Sequence, residues 1–172
     1  MHWPADLDPR ELKQPDARSC GAASVLAARA LLRGWRPEDA EKDILAEHRL
    51  LTSSRSPRDR FQTPWPRALG TPPWALANAL RALTGRHLAT VIARPRPVIA
   101  YEVLCAQLAD RPVALYIGSR WLPRHVVLAV ETTDDGVRVF DPAHGALVDV
   151  PQHRWGEQHI DVAGWNHLWF VI

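Results

Sequence analysis

The run from Cys20 to Arg33 constrains the fold more than any other stretch of this chain. Nine of its fourteen residues are Ala, Val or Leu, and Gly34 follows it directly. A helix that is apolar on every side has no face to expose to water, so it is normally buried in the centre of a domain. Glycine is the most common residue just after a helix C-terminus. We therefore predict a central helix over Cys20–Arg33, around which the rest of the chain packs.

Two further helices are predicted in the first half of the chain. Residues 37–39 (Pro-Glu-Asp) predict the start of one, because proline is tolerated in the first turn and acids interact favourably with the positive end of the helix dipole. Thr71-Pro72 predicts the start of the other, which Gly85 ends. Residues 52–70 lie between them, are rich in Ser, Arg and Pro, and show no period. A loop of that length is usually functional or disordered.

The second half changes to the pattern of a sheet. Asp134-Asp135-Gly136 is a strong hairpin signal between two apolar runs. Helices that come first and a mostly antiparallel sheet that follows indicate an α+β fold. A length of 172 residues suits one domain, 1–172, with a helical half over about 1–85 and a sheet half over about 86–172. Strands are predicted at 87–93, 111–118, 125–132, 137–140, 146–150 and 167–172, with a helix at 101–109.

Composition and charge argue against several classes of function. The formal net charge is only +2 and the arginines are spread along the chain, so no nucleic-acid partner is expected. No run approaches the roughly eighteen apolar residues of a membrane span, and no membrane partner is expected. The N-terminus lacks the basic start and apolar run of a signal peptide. We expect a cytoplasmic protein, with specialised secretion left open, and two free thiols, Cys20 and Cys105.

Cys20 is the candidate nucleophile, since it stands at the start of the predicted central helix. A thiol there feels the positive end of the helix dipole, which favours the thiolate. Gly21 leaves room beside the sulfur for a substrate carbonyl. Gln14 could join the Cys20 backbone N–H as a second donor to a developing oxyanion. A buried cysteine that merely fills a helix–helix contact is the alternative explanation.

His125 and Asp141 are the candidate partners of the thiol. His125 opens an apolar strand directly after a loop, where a rigid sheet can present a side chain to a cleft. Asp141 follows the next strand and precedes Pro142. A hairpin brings the start of its first strand beside the end of its second, so the topology predicts a contact between His125 and Asp141. A solvent-facing histidine and an ordinary Asp-Pro turn are the alternatives.

The ordered set resembles the active site of the papain-like cysteine peptidases. It is most similar to the pattern of the bacterial double-glycine leader (bacteriocin-processing) peptidases and their stand-alone relatives. That pattern has a Gln shortly before a Cys-Gly pair that opens a helix, a later His at the start of a strand, and an Asp-Pro after a hairpin. Gln14, Cys20, His125 and Asp141 match that pattern in identity and order. Residues 52–70 have no counterpart in it. The resemblance implies a papain-like fold with the central helix packed on the sheet, a Cys-His-Asp triad and an oxyanion hole.

Three functions are compatible with this resemblance. The first is a cysteine-dependent hydrolase of peptide or amide bonds that acts through a thioester, with a peptide or protein substrate and no cofactor. The second is a catalytically silent module that binds a leader or partner peptide. The third is a bacterial effector or toxin with the same chemistry, acting as an amidase or acyltransferase, for which an inhibitor or immunity protein would be the partner. The oligomeric state stays open.

Several other residues are weaker candidates. Trp121 and Trp74 are predicted to contact substrate, although packing explains either one equally well. His153 and His159 stand near Asp161, but no cysteine pair or His-Glu-x-x-His pattern accompanies them, so no metal site is predicted. Asn166 is a minor alternative to Asp141 as the residue that orients His125.

Overall fold

The computed structural model describes residues 2–172 of the chain. Within this range it has five α-helices, six β-strands and two 3-10 turns, at Pro9–Leu12 and Arg67–Leu69. The helices are α1 (Cys20–Arg33), α2 (Ala40–Thr52), α3 (Pro73–Thr84), α4 (Pro97–Leu108) and α5 (Gln152–Gly156). The strands are β1 (Val91–Ile92), β2 (Val113–Gly118), β3 (Pro123–Thr132), β4 (Gly136–Asp141), β5 (Ala146–Pro151) and β6 (His167–Val171).

The six strands form one antiparallel sheet in the order β1-β6-β2-β3-β4-β5. Strands β2, β3, β4 and β5 follow one another both in sequence and in space. β3 and β4 form the predicted hairpin, in which Leu128 lies opposite Phe140 and Ala129 opposite Val139. This pairing places the beginning of β3 and the end of β4 at the same edge of the sheet.

Helix α1 packs against one face of the sheet, and α4 and α5 cover the other. In β2, Ala114 belongs to the core on the α1 side, whereas the next residue, Leu115, belongs to the core on the α4 side. β3 alternates in the same way, so both strands are buried on both faces. This explains why they are continuously apolar, as strands covered by helices on each side usually are. α2 and α3 pack around the remaining sides of α1 and complete its burial.

Helix α1 has the predicted bounds, and Gly34 ends it with a φ of 64°, in the left-handed region that glycine tolerates best. α2 begins later than predicted. Residues 37–39 lie outside it, because Asp39 is its N-cap and the side chain accepts a hydrogen bond from the Lys42 backbone N–H. α3 likewise begins at Pro73, with Pro72 as its N-cap residue and Gly85 after its end.

The strands lie at about the predicted positions along the chain, but their ends differ. The first, predicted at 87–93, is reduced to Val91–Ile92, because it is an edge strand that pairs only with the last two residues of β6. β2 begins at Val113 rather than residue 111, and α4 begins at Pro97 rather than residue 101. Helix α5 was not predicted, since five residues are too few to show a helical period. No helix within residues 2–172 is long and apolar enough to cross a membrane.

Candidate active site

Cys20 occupies the first position of α1, after Ser19, which is the N-cap residue. The side chain is almost fully buried, with 5% of its surface exposed. Backbone N–H groups in the first turn of a helix have no partner within the helix, so the Cys20 N–H is available to a bound group. The thiol and a backbone donor therefore lie at the same point of the chain.

Gly21 lies against Thr71, the residue two positions before α3. A Cβ atom at position 21 would fall 2.6 Å from both Cβ and Oγ1 of Thr71. Non-bonded carbons pack at about 3.5–4.0 Å, so no other residue fits here without movement. The structure thus gives Gly21 a packing role. Its predicted contact with substrate stays a prediction.

His125 is the third residue of β3 and lies opposite Ile117 of β2. Its ring is buried, and Nε2 lies 2.7 Å from Oδ1 of Asp141. The predicted contact between the two strands of the hairpin is therefore present. The Cys20 side chain lies near the ring, since both residues line one groove and Cys20 contributes to the raised pKa of His125. Because Asp141 occupies Nε2, the nitrogen left for the thiol is Nδ1.

Asp141 is the last residue of β4 and has 1% of its surface exposed. Oδ1 accepts hydrogen bonds from the ring of His125 and from the Ala143 backbone N–H, at 3.0 Å. Oδ2 lies 2.6 Å from Nδ1 of His144. Burial alone would raise the pKa of Asp141, but the hydrogen bonds from His125 and His144 lower it below its usual value. The carboxylate is thus held in its charged form and in one orientation.

The environment of His125 favours its protonated form. Burial would lower the pKa of this imidazole, yet the hydrogen bond to Asp141, the proximity of Cys20 and the charge of Asp141 raise its pKa to about 9. A raised pKa favours the imidazolium at neutral pH. An imidazolium beside a cysteine stabilises the thiolate, which is the nucleophilic form.

Cys20 and His125 lie in a groove of about 490 Å³. Its walls come from the chain before α1, the segment before α3 and the start of β3. Tyr116 closes the floor, and its hydroxyl donates a 2.7 Å hydrogen bond to the Thr71 carbonyl oxygen. The other lining residues are Ala17, Arg18, Trp65, Ala68, Leu69, Gly70, Pro72, Pro73, Leu122, Pro123, Arg124 and Val126. The surface is mainly apolar, with a charged rim.

Gln14 is half-buried and lies outside the lining of this groove. Its backbone N–H donates to the Pro142 carbonyl oxygen at 2.8 Å, which ties the chain before α1 to the end of the hairpin. One N–H of its side-chain amide donates to the Asp16 carbonyl oxygen at 2.7 Å. The amide has a second N–H, so the role of Gln14 as an oxyanion donor stays a prediction.

Trp121 and Trp74 do not line the groove. In each case the adjacent residue lines it instead, Leu122 beside Trp121 and Pro73 beside Trp74. Trp121 is 68% exposed and lies beneath the guanidinium of Arg120, whereas the next residue, Leu122, lines the groove. Trp74 donates from Nε1 to the Thr63 carbonyl oxygen and meets Trp65 edge to face at 5.2 Å. Trp65 itself lines the groove.

Three residues of the site were missed by sequence reasoning. His144 contacts Asp141 from an exposed position, and Thr71 and Tyr116 shape the groove. Only His144 carried a signal, its position three residues after Asp141. Both cysteines are free. Within residues 2–172, no group of three His, Cys, Asp or Glu side chains could hold a metal ion.

Asn166, the rival of Asp141, lies elsewhere. Its side-chain oxygen accepts a hydrogen bond from the Asp161 backbone N–H at 3.1 Å. The residue that contacts the His125 ring is therefore Asp141 rather than Asn166.

Comparison with solved structures gives a match. No family model and no curated protein matches the sequence. Among solved structures, the chain is similar to the crystal structure of a double glycine motif protease from an AMS/PCAT transporter in complex with the leader peptide. The TM-score is 0.53 at 17% sequence identity, and the match covers 92% of this chain and 88% of the other. The likeness shows a shared fold, as the resemblance of the sequence motifs implied.

Proposed function

We propose that this protein is a cysteine-dependent hydrolase of peptide or amide bonds. The observation that carries the proposal is the buried cluster of Cys20, His125 and Asp141, in which the carboxylate contacts the imidazole and the thiol lines the same groove as the imidazole. This is the arrangement that cysteine-dependent acyl transfer requires: a nucleophile, a base beside it, and a group that orients the base.

The reaction proceeds through a thioester. The Cys20 thiolate attacks the carbonyl carbon, and the negative charge moves to the carbonyl oxygen, which the Cys20 backbone N–H stabilises together with an amide N–H of Gln14. The C–N bond then breaks, and the His125 imidazolium gives its proton to the leaving amine. Water, from which His125 takes a proton, attacks the thioester and releases the acid and the free thiol.

A peptide is the substrate class that the groove favours. The structurally similar protease was solved with a leader peptide bound. Here the groove has mainly apolar walls, and exposed apolar side chains such as Leu69 and Leu122 lie along it. An extended peptide can pack such walls against alternate side chains while its backbone passes the thiol. Bacterial peptide processing is the role that fits these features.

A second candidate function is peptide binding without catalysis. Two observations favour it: Cys20 is only 5% exposed, and one N–H of the Gln14 amide is already used by the Asp16 carbonyl. The catalytic proposal requires substrate binding to free a path to the sulfur. The two candidates differ in the reactivity of the thiol, which can be measured without knowing the substrate.

The test is the rate at which iodoacetamide alkylates Cys20 across a range of pH. Peptide mapping measures how much of each cysteine has been labelled. Cys105, a half-buried free thiol on α4, serves as an internal reference in the same molecule. We expect Cys20 to react faster than Cys105 at pH 6, and His125→Ala to remove the difference. The matched control is His153→Ala, which removes an exposed histidine of α5.

Equal rates for the two thiols, or an unchanged Cys20 rate in a folded His125→Ala protein, would overturn the catalytic proposal in favour of peptide binding. If the thiol is activated, a peptide mixture digested with and without an added primary amine separates hydrolysis from acyl transfer, because the amine is incorporated only in the latter.

A further inference from the structure

A second cavity, of about 440 Å³, adjoins the cysteine groove. It lies between the chain before α1, helix α2 and the 3-10 turn Arg67–Leu69. The two cavities share Arg18 and Ala68 in their walls, so they adjoin at that point. We call the second cavity the arginine pocket, because Arg18, Arg49 and Arg67 line it.

The arginine pocket has an excess of positive charge. Three arginines line it against one acidic residue, Asp16. One carboxylate oxygen of Asp16, Oδ1, already accepts a hydrogen bond from the Arg18 backbone N–H at 2.8 Å. Among residues 2–172, no carboxylate lies within 4.0 Å of the Arg18, Arg49 or Arg67 side-chain nitrogens. Like charges that share a cavity repel one another, and a bound anion would relieve that repulsion.

His48 gives the pocket a buried polar wall. The residue is 5% exposed, it lines the arginine pocket, and its Nε2 is buried without a hydrogen-bond partner in the described chain. A buried ring nitrogen without a partner is costly, because it has lost its water and gained nothing in exchange. A ligand in the pocket would lie against the His48 ring, which lines it.

We propose that the arginine pocket is a specificity subsite that binds an acidic residue of the peptide, next to the bond held at Cys20. A guanidinium group forms paired hydrogen bonds with a carboxylate, and the Asp or Glu side chain is the carboxylate that a peptide can carry into a cavity beside the groove. This inference rests on the proposed function in so far as the peptide is a substrate. The subsite itself needs only that the groove bind a peptide.

The test measures binding and cleavage separately. Cys20→Ala protein with ¹⁵N-labelled histidine is titrated with eight-residue peptides that carry one Glu at each position in turn, and with their Gln counterparts, while the His48 resonances are followed. Inorganic phosphate is a third ligand. We expect one Glu position to shift the His48 resonances and to bind roughly tenfold tighter than its Gln counterpart, the difference expected for a hydrogen bond to a charged group.

The double variant Arg49→Gln/Arg67→Gln should lose this preference. The matched control is Arg10→Gln/Arg96→Gln, which removes two exposed arginines that line neither cavity and should keep it. Equal binding of all Glu and Gln peptides, or a preference that survives in Arg49→Gln/Arg67→Gln, overturns the subsite. Phosphate that binds at least as tightly as the best Glu peptide also overturns it, because the pocket would then bind small anions rather than a peptide.

Cleavage of the same peptides by the unaltered protein separates the two proposals. Hydrolysis without preference for Glu overturns the subsite and leaves the hydrolase. Preference for Glu in binding, with no hydrolysis and no effect of His125→Ala on alkylation, overturns the hydrolase and leaves the arginine pocket as part of a peptide-binding site.

Discussion

His144 Nδ1 lies 2.6 Å from Oδ2 of Asp141, the carboxylate oxygen that His125 does not use. Asp141 thus joins a buried histidine of the site to an exposed one at the surface. A carboxylate held at both oxygens cannot rotate away from the imidazole it orients. His144 therefore positions Asp141 and, through it, His125.

Replacement of His144 by Ala should slow alkylation of Cys20 about two- to tenfold, since one hydrogen bond contributes about 0.5–1.5 kcal/mol. The alkaline end of the rate–pH profile should also move to lower pH, because a less firmly held Asp141 stabilises the imidazolium less. His144→Asn, whose amide can donate to the same oxygen, should recover most of the rate. A profile identical to that of the unaltered protein would show that His144 is a surface residue only.

Replacement of Asp141 by Ala should destabilise the fold by about 3–5 kcal/mol, the cost of breaking a buried ion pair by removing one partner. His125 would remain buried with no carboxylate beside it. Urea unfolding gives the free energy of unfolding. The matched control is Asp134→Ala in the exposed hairpin turn, which should change it little. Comparable losses in the two variants would mean that the pair contributes nothing to the fold.

Stability should fall between about pH 6.5 and 9 because of His125. The pKa of this group is raised to about 9 in the folded protein from 6.5, so the folded state binds the proton more tightly than the unfolded state. The resulting stabilisation is fully present below pH 6.5 and is lost as the pH rises through 9. Melting temperatures across this range test it. The decrease should be smaller in Cys20→Ala, which lacks one of the two groups that raise the pKa; an equal decrease would contradict this assignment.

Replacement of Gly21 by Ala should destabilise the protein by about 1–3 kcal/mol, the usual cost of overpacking. The new Cβ would fall 2.6 Å from Thr71 Cβ and Oγ1. Thr71→Gly removes both atoms, so the double variant should lose less than the sum of the two single variants. Gly156→Ala is the control, because its Cβ would lie 3.4 Å from Val98 Cγ2, an ordinary contact. Additive losses would show that the two residues are not in close contact.

Replacement of Trp155 by Ala should cost about 3–5 kcal/mol, as expected when a large buried aromatic side chain is removed. Trp155 is fully buried between α4 and the sheet, and its Nε1 donates to the Val150 carbonyl oxygen. Trp121→Ala removes an exposed ring of the same size and should leave the free energy of unfolding unchanged. A small loss in Trp155→Ala would contradict the packing of α5 against the sheet.

The residues that could be predicted from the sequence are those whose role is set by neighbours in the chain. The bounds of α1 followed from its mainly apolar composition and Gly34. The contact between His125 and Asp141 followed from the short turn between β3 and β4, since a hairpin fixes which ends meet. Edge strand β1 was predicted too long, because the number of residues that pair depends on the partner strand β6.

The sequence by itself determined the central helix, the approximate positions of the strands along the chain and the hairpin that joins His125 to Asp141, because each depends on local composition, spacing and turn chemistry. Only the tertiary structure decided the contacts between segments far apart in the chain. It brought Thr71 against Gly21, placed Trp65 and Leu122 in the groove, and put Arg18, Arg49 and Arg67 around one cavity. Those contacts depend on how helices and loops pack in three dimensions, and no local pattern of residues records that packing.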